Sequence, residues 1–201
     1  MKRFPFVTLT LVALCAAAAL APGTALEYDR ASVAAGEGWR LLTGQMVHWT
    51  ARMAAFDLGM LLGLGIWLEV RGDRRLAAAA LALGGGLTAL AVHALSPGIL
   101  VYRGSSGVAS ALFVLAAVRA SARAVDSPDS WTRTLALTAV ALFLGKAAFE
   151  SLAGQALFAG PWPRGVRVLP LVHLLGGLGG LAAHSMATAC RPTRVRSTPC
   201  S

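Results

Sequence analysis

The sequence predicts an all-α, polytopic membrane protein, and three observations carry that prediction. Of 201 residues, 56% are hydrophobic and 13% charged, and mean hydropathy is +0.65, which is not the balance of a soluble domain of this length. The apolar residues come in long runs broken by short charged clusters. The net charge of +9 resides mostly in arginines of short loops and the tail, with no aromatic-interleaved basic patch. Membrane topology accounts for such arginines, and nucleic-acid binding does not.

The runs place candidate spans at about 4–22, 46–68, 76–95, 105–119, 134–152 and 168–189. The first lies in "MKRFPFVTLTLVALCAAAALAPGTA", with a basic start, an apolar stretch and small residues near Ala25. That pattern fits a cleaved signal peptide and a first membrane helix alike. A polar segment, "LEYDRASVAAGEGWR", leads to the second span. Then "EVRGDRR", "SPG" near Pro97, "RASARAVDSPDSWTR" and "GQALFAGPWPRGVR" separate the others, and "RPTRVR" follows the last. With Lys2 and Arg3 inside, "RGDRR", "RASAR" and "RPTRVR" all fall on the cytoplasmic side, as the positive-inside bias requires. Both termini are then cytoplasmic, and loss of the first span leaves the orientation of the other five unchanged. The sequence holds no soluble domain, repeat or low-complexity tract, so residues 1–201 form one membrane domain. Cys15, Cys190 and Cys200 are odd in number and fit no disulfide framework, zinc site or lipidation box. Trp49, Trp67, Trp131 and Trp162 fall near the expected membrane interfaces.

Depth then brings two polar residues together. From Ser106 to Arg119 is roughly 20 Å of helix, against a hydrocarbon core of about 30 Å. With Arg119 at the inner face, Ser106 lies roughly 10 Å below the outer one, and "SPGILVYRG" must dip in as a loop inside a protein cavity. In the last span, His173 follows Arg167 by roughly 9 Å. Ser106 and His173 are therefore expected at one level on different helices. Gly176, Gly177, Gly179 and Gly180 bare one face of the last span for close approach, and the fourth span, with Gly107, Ala109, Ser110 and Ala111, is the natural neighbour.

An imidazole can take a serine proton as general base and return it to a leaving group. Glycines around Ser106 let substrate backbone approach, and the amides of Gly104, Ser105 and Gly107 are candidate oxyanion donors. A plainer reading stands beside this one. A Gly/Ser helix start also serves as a packing contact or cap, and a membrane histidine also serves as an interhelical hydrogen bonder. Lys146 and Glu150 share a helix face at i,i+4, either as a structural ion pair near the outer end or lining a substrate entrance. His93 and His184 lie too far apart along the membrane normal for a metal site and read as structural.

"GSSG" opening the fourth span, "HLLGGLGG" in the sixth, and Trp39, Arg40 and His48 in "WRLLTGQMVH" resemble the rhomboid intramembrane serine proteases. "YRGSSGVASAL", "GKAAFESLAG" and "LPLVHLLGGLGG" are similar to the rhombosortase branch. The resemblance runs from Trp39 to His184. It implies a rhomboid-like six-transmembrane-helix bundle with the first helix retained, in a bacterial inner membrane, its site opening to the periplasmic side. It implies Ser106 as nucleophile and His173 as general base, with Gly104 and Gly107 flanking. Ser105 occupies the variable position, Tyr102 an aromatic one, and His48 a first-loop histidine of structural role. Lys146, Glu150, Tyr102, His48 and Asp57 are the candidate substrate-lining residues. The substrate implied is a membrane-anchored exported protein with a C-terminal GlyGly-type sorting helix. No cofactor, metal or nucleic acid is implied.

One departure stands out. Many family members carry a histidine and, four residues on, an asparagine in the second span, both assisting the oxyanion site. Met53 and Asp57 stand there. Methionine donates no hydrogen bond, and an ionised aspartate repels an oxyanion. Asp57 could instead pair with Lys146. Met53 and Asp57 favour an alternative, a catalytically inactive relative that binds or escorts membrane clients. A transporter, with Lys146, Glu150 and Asp57 as pathway charges, is a further alternative, and the lack of an inverted repeat counts against it.

Overall fold

The computed structural model describes residues 3–124, 130–155, 157 and 166–189. Lys2, Trp162, Cys190, Cys200 and the "RPTRVR" tail lie outside the described residues. In chain order the elements are α1 (Phe6–Ala18), α2 (Gly23–Leu26), β1 (Tyr28–Asp29), α3 (Arg30–Ala34), α4 (Arg40–Thr43), α5 (Ala51–Val70), α6 (Arg74–His93), β2 (Val101–Tyr102), α7 (Ser106–Ala124), α8 (Ser130–Ala153) and α9 (Pro170–Ala189).

The protein is a mainly helical membrane protein. Among the described residues, α5, α6, α7 and residues Trp131–Ala153 of α8 are long and apolar enough to cross a bilayer. α1 is apolar but has only 13 residues. α9 has 20, and its glycines and two histidines dilute its hydropathy. Leu137, Leu144, Phe149 and Leu152 of α8 point outward, an apolar face suited to lipid.

Each expected span meets one helix, with differences at the ends. The second starts later, at Ala51, because the Thr50 side chain accepts the Met53 N–H at 3.1 Å and caps it. The fourth runs past Arg119 to Ala124. Arg119 does not end it, because Asp73, before α6, accepts both Arg119 (2.9 and 3.1 Å) and Arg123 (2.6 Å). A carboxylate between two guanidiniums gathers the ends of three helices where the arginine clusters were expected.

α7 is the central helix, packed by α5, α6, α8 and α9. Alanine and glycine make this possible. Ala77, Ala80 and Ala111 are fully buried between the larger Leu61, Leu68, Leu112 and Leu115. Glycine then sets the closest approaches. A Cβ on Gly180 would lie 2.0 Å from the Ala111 carbonyl oxygen of α7, and one on Gly179 would lie 2.5 Å from the Gly84 nitrogen of α6. The glycine face expected on the last span therefore meets α7 as expected, and α6 as well.

α1 is tied to α5 by one buried carboxylate. Glu69 is 1% exposed and accepts from the Val7 N–H (3.1 Å), the Thr8 N–H (2.7 Å) and the Thr8 hydroxyl (2.6 Å). Those amides are first-turn donors with no partner inside α1, and the negative charge suits that end of the helix.

The segment between α1 and α5 is ordered as a brace. Arg30 donates to four carbonyl oxygens, of Val92, His93, Ser96 and Ile99, at 2.9–3.1 Å, and so closes the end of α6 and the loop after it. Asp29 caps α3 by accepting the Ser32 N–H at 2.7 Å, and that bond holds its carboxyl below the usual range. Arg40 donates to the Thr24 and Glu27 carbonyls. β1 pairs antiparallel with β2, Tyr28 opposite Tyr102 and Asp29 opposite Val101. The brace thus grips the strand that leads into the "GSSG" stretch.

Candidate active site

Ser106 is the first residue of α7 and His173 sits in the first turn of α9. Both line one cavity of about 1160 Å³. Phe56 and Met60 of α5 form one wall, Leu142 and Phe143 of α8 another, and Ala109 and Phe113 of α7 the floor. α5 and α8 each pack on α7 but make no substantial contact with each other. The cavity occupies the space between them.

The α7–α9 contact sets the spacing of the pair. A Cβ on Gly176 would lie 2.0 Å from the Gly107 carbonyl oxygen. Gly107 follows Ser106 directly, and Gly176 is three residues past His173. Gly107 is needed for a second reason: its Cβ would lie 2.2 Å from the Thr88 hydroxyl of α6. Among the described residues, no hydrogen bond joins Ser106 Oγ to His173. Such bonds commonly close only with substrate in place.

The two serines differ sharply. Ser106 is partly exposed to the cavity, whereas Ser105 is 2% exposed and faces away from it. Ser105 Oγ lies 3.0 Å from His48 Nε2 and 3.5 Å from Asp57 Oδ2, and His48 Nε2 is 3.3 Å from that same oxygen. A serine, a histidine and an aspartate thus meet, but around a single imidazole nitrogen. A relay needs the acid on one ring nitrogen and the serine on the other. The cluster is a lock behind the Ser106 loop.

Of the backbone amides expected to hold an oxyanion, two are already engaged. The Gly104 N–H donates to Gly44 O at 3.1 Å, and the Ser105 N–H donates to Asp57 Oδ2 at 3.1 Å. Gly107 remains, with the amide of Ser106 itself, because first-turn N–H groups have no acceptor within their own helix. Gly104 has φ +136°, which disfavours any side chain, and its Cβ would lie 2.3 Å from Met53 Cε. Met53 therefore packs over Gly104 in place of donating a hydrogen bond.

Four of the five expected lining residues, Tyr102, Asp57, Lys146 and Glu150, face the cavity. His48 does not; it stands behind Ser105. Asp57 does not meet Lys146, because His48 and Ser105 take its carboxylate. The Tyr102 hydroxyl donates to Gly104 O at 3.0 Å. Lys146 Nζ is 2.6 Å from Glu150 Oε2, so the i,i+4 ion pair exists, and it is not alone. His173 Nδ1 is 3.2 Å from that oxygen and 3.4 Å from Lys146 Nζ. The Leu157 N–H holds the other carboxylate oxygen at 3.1 Å.

His93 takes the structural part expected of it, with Nδ1 3.1 Å from the buried Tyr28 hydroxyl. Sequence reasoning missed Arg30, Gly44 and Thr88, which shape the Ser106 loop from outside it. It also missed the meeting of Glu150 with His173. Its signal was available, because Glu150 lies one turn from the end of α8, a depth that helix rise would have matched to His173. Compared with known proteins, the chain matches no family model and no curated protein sequence.

Proposed function

We propose that this protein is an intramembrane serine endopeptidase of the rhomboid type, acting in the manner of a rhombosortase. One observation carries the reading: Ser106 and His173, on separate helices drawn together by Gly107 and Gly176, face one large and mainly apolar cavity. The substrate is a membrane-anchored protein whose helix unwinds at small or glycine-rich residues, such as a C-terminal GlyGly-type sorting helix. It enters between α5 and α8, where the walls do not meet. A six-helix rhomboid-like bundle in a bacterial inner membrane, opening to the periplasm, is the setting proposed.

The chemistry follows from the groups present. Ser106 Oγ attacks the scissile carbonyl as its proton passes to His173 Nε2. The amides of Ser106 and Gly107 hold the oxyanion. His173 then gives the proton to the leaving amine as the C–N bond breaks. Water, deprotonated by the same nitrogen, attacks the acyl-enzyme. The ester bond breaks, and Ser106 recovers its proton from His173.

Fluorophosphonate labelling of the purified, detergent-solubilised protein tests this. Labelling is expected in the wild type and in Ser105→Ala, and is expected to be lost in Ser106→Ala and His173→Ala. Asp57 favours the second reading, a binder that does not cleave, because a carboxylate lines the cavity beside the amides that an oxyanion would need. Folded wild-type protein that takes no label would select that reading.

A further inference from the structure

We infer that Glu150 is the positioning residue for His173, so that the site works as a Ser106–His173–Glu150 group. This rests on the reading of Ser106 as nucleophile. A serine–histidine pair alone leaves the imidazole tautomer undetermined. The base needs its lone pair on Nε2, hence its proton on Nδ1. Glu150 Oε2 lies 3.2 Å from Nδ1 and is the acceptor that selects this tautomer. The carboxylate is 2% exposed and held from several sides, by Lys146 Nζ at 2.6 Å and by the Leu157 N–H at 3.1 Å. A buried, fixed carboxylate against the far nitrogen of a catalytic imidazole also stabilises the imidazolium that forms when Ser106 loses its proton.

Lys146 admits another account, in which Glu150 exists only to neutralise the lysine. Its Nζ is 3.4 Å from Nδ1 and could donate there. Donation from Lys146 would leave the proton on Nε2, the wrong tautomer for a base. In the group proposed, Lys146 orients Glu150, and Glu150 orients His173.

The test compares fluorophosphonate labelling of the full-length wild type, Glu150→Gln, Lys146→Met and the double variant Glu150→Gln/Lys146→Met, separating the maximal labelling rate from probe affinity. Glutamine keeps the shape and can still accept the Leu157 N–H, but its amide does not supply the charge. The double variant leaves no orphan cation. Glu150→Gln and the double variant are expected to lower the maximal rate at least about tenfold with probe affinity unchanged, and the double variant to unfold near the wild-type temperature. Lys146→Met is expected to lower the rate less than Glu150→Gln does, and a larger loss would make Lys146 rather than Glu150 the group that sets His173. A double variant that labels at the wild-type rate would show that Glu150 only balances Lys146, and would overturn the inference while Ser106 remains the nucleophile. Wild-type labelling that survives Ser106→Ala would instead overturn the reading beneath it.

Discussion

Gly176 and Gly107 touch backbone to backbone: a Cβ on Gly176 would lie 2.0 Å from the Gly107 carbonyl oxygen. Gly63 of α5 has nothing within 4 Å of its Cβ position. The same substitution should therefore have opposite signs at the two sites. Gly63→Ala is expected to be neutral or to stabilise by up to about 1 kcal/mol through helix propensity. Gly176→Ala is expected to cost about 2 kcal/mol, because a main-chain carbonyl cannot move aside as a side chain can. It should also slow Ser106 labelling, since the contact spaces Ser106 from His173. Thermal unfolding in detergent and labelling kinetics check both.

Gly104→Ala should fail for two separable reasons. The φ of +136° is strained for any side chain, and Met53 Cε occupies the Cβ position at 2.3 Å. Met53→Ala removes only the second. The double variant Met53→Ala/Gly104→Ala is therefore expected to recover part of the stability lost by Gly104→Ala and not all of it. Recovery to the Met53→Ala level would show that backbone strain contributes nothing.

Asp57→Asn is expected to speed Ser106 labelling about threefold or more, by removing a negative charge beside the oxyanion amides. The asparagine carbonyl can still accept the Ser105 N–H, now 3.1 Å from Asp57 Oδ2, so the loop should hold. A slower reaction would mean instead that the full charge is needed to keep Ser105 and His48 in place.

Glu69→Ala is expected to lower stability by about 2 kcal/mol, since two first-turn amides and the Thr8 hydroxyl lose their acceptor together. A variant lacking residues 1–20 should be at least as unstable, because it loses the packing of α1 on α5 as well as those hydrogen bonds. If that truncated protein unfolds at the wild-type temperature, α1 is dispensable to the fold.

What could be read in advance followed from periodicity and depth. The spans were legible because apolar runs and arginine clusters alternate. That Ser106 and His173 line one cavity was legible because helix rise converts residue counts into depth, and the glycines of α9 marked its packing face. The brace was not legible. β1 and β2 have two residues each, too few for any alternation to register, and the fourfold grip of Arg30 depends on carbonyl groups that every residue carries. Asp57 was read by charge as a partner for Lys146. Its actual partners, a backbone amide and His48, are set by the turn at Gly104, which sequence spacing does not encode.

The glycine seam of α9 also bears on how the protein is made. Ser106 emerges from the ribosome long before His173, and until α9 arrives the grooves at Gly84, Gly107 and Ala111 stand open. The seam tolerates no other side chain at Gly176, Gly179 or Gly180, so a neighbouring segment is poorly suited to fill the gap for it. In the mechanism proposed above, a nascent or partly inserted chain therefore holds Ser106 without its base. On the function proposed above, hydrolysis waits for α9 to dock, which would spare the insertion machinery and unfolded neighbours from premature cleavage.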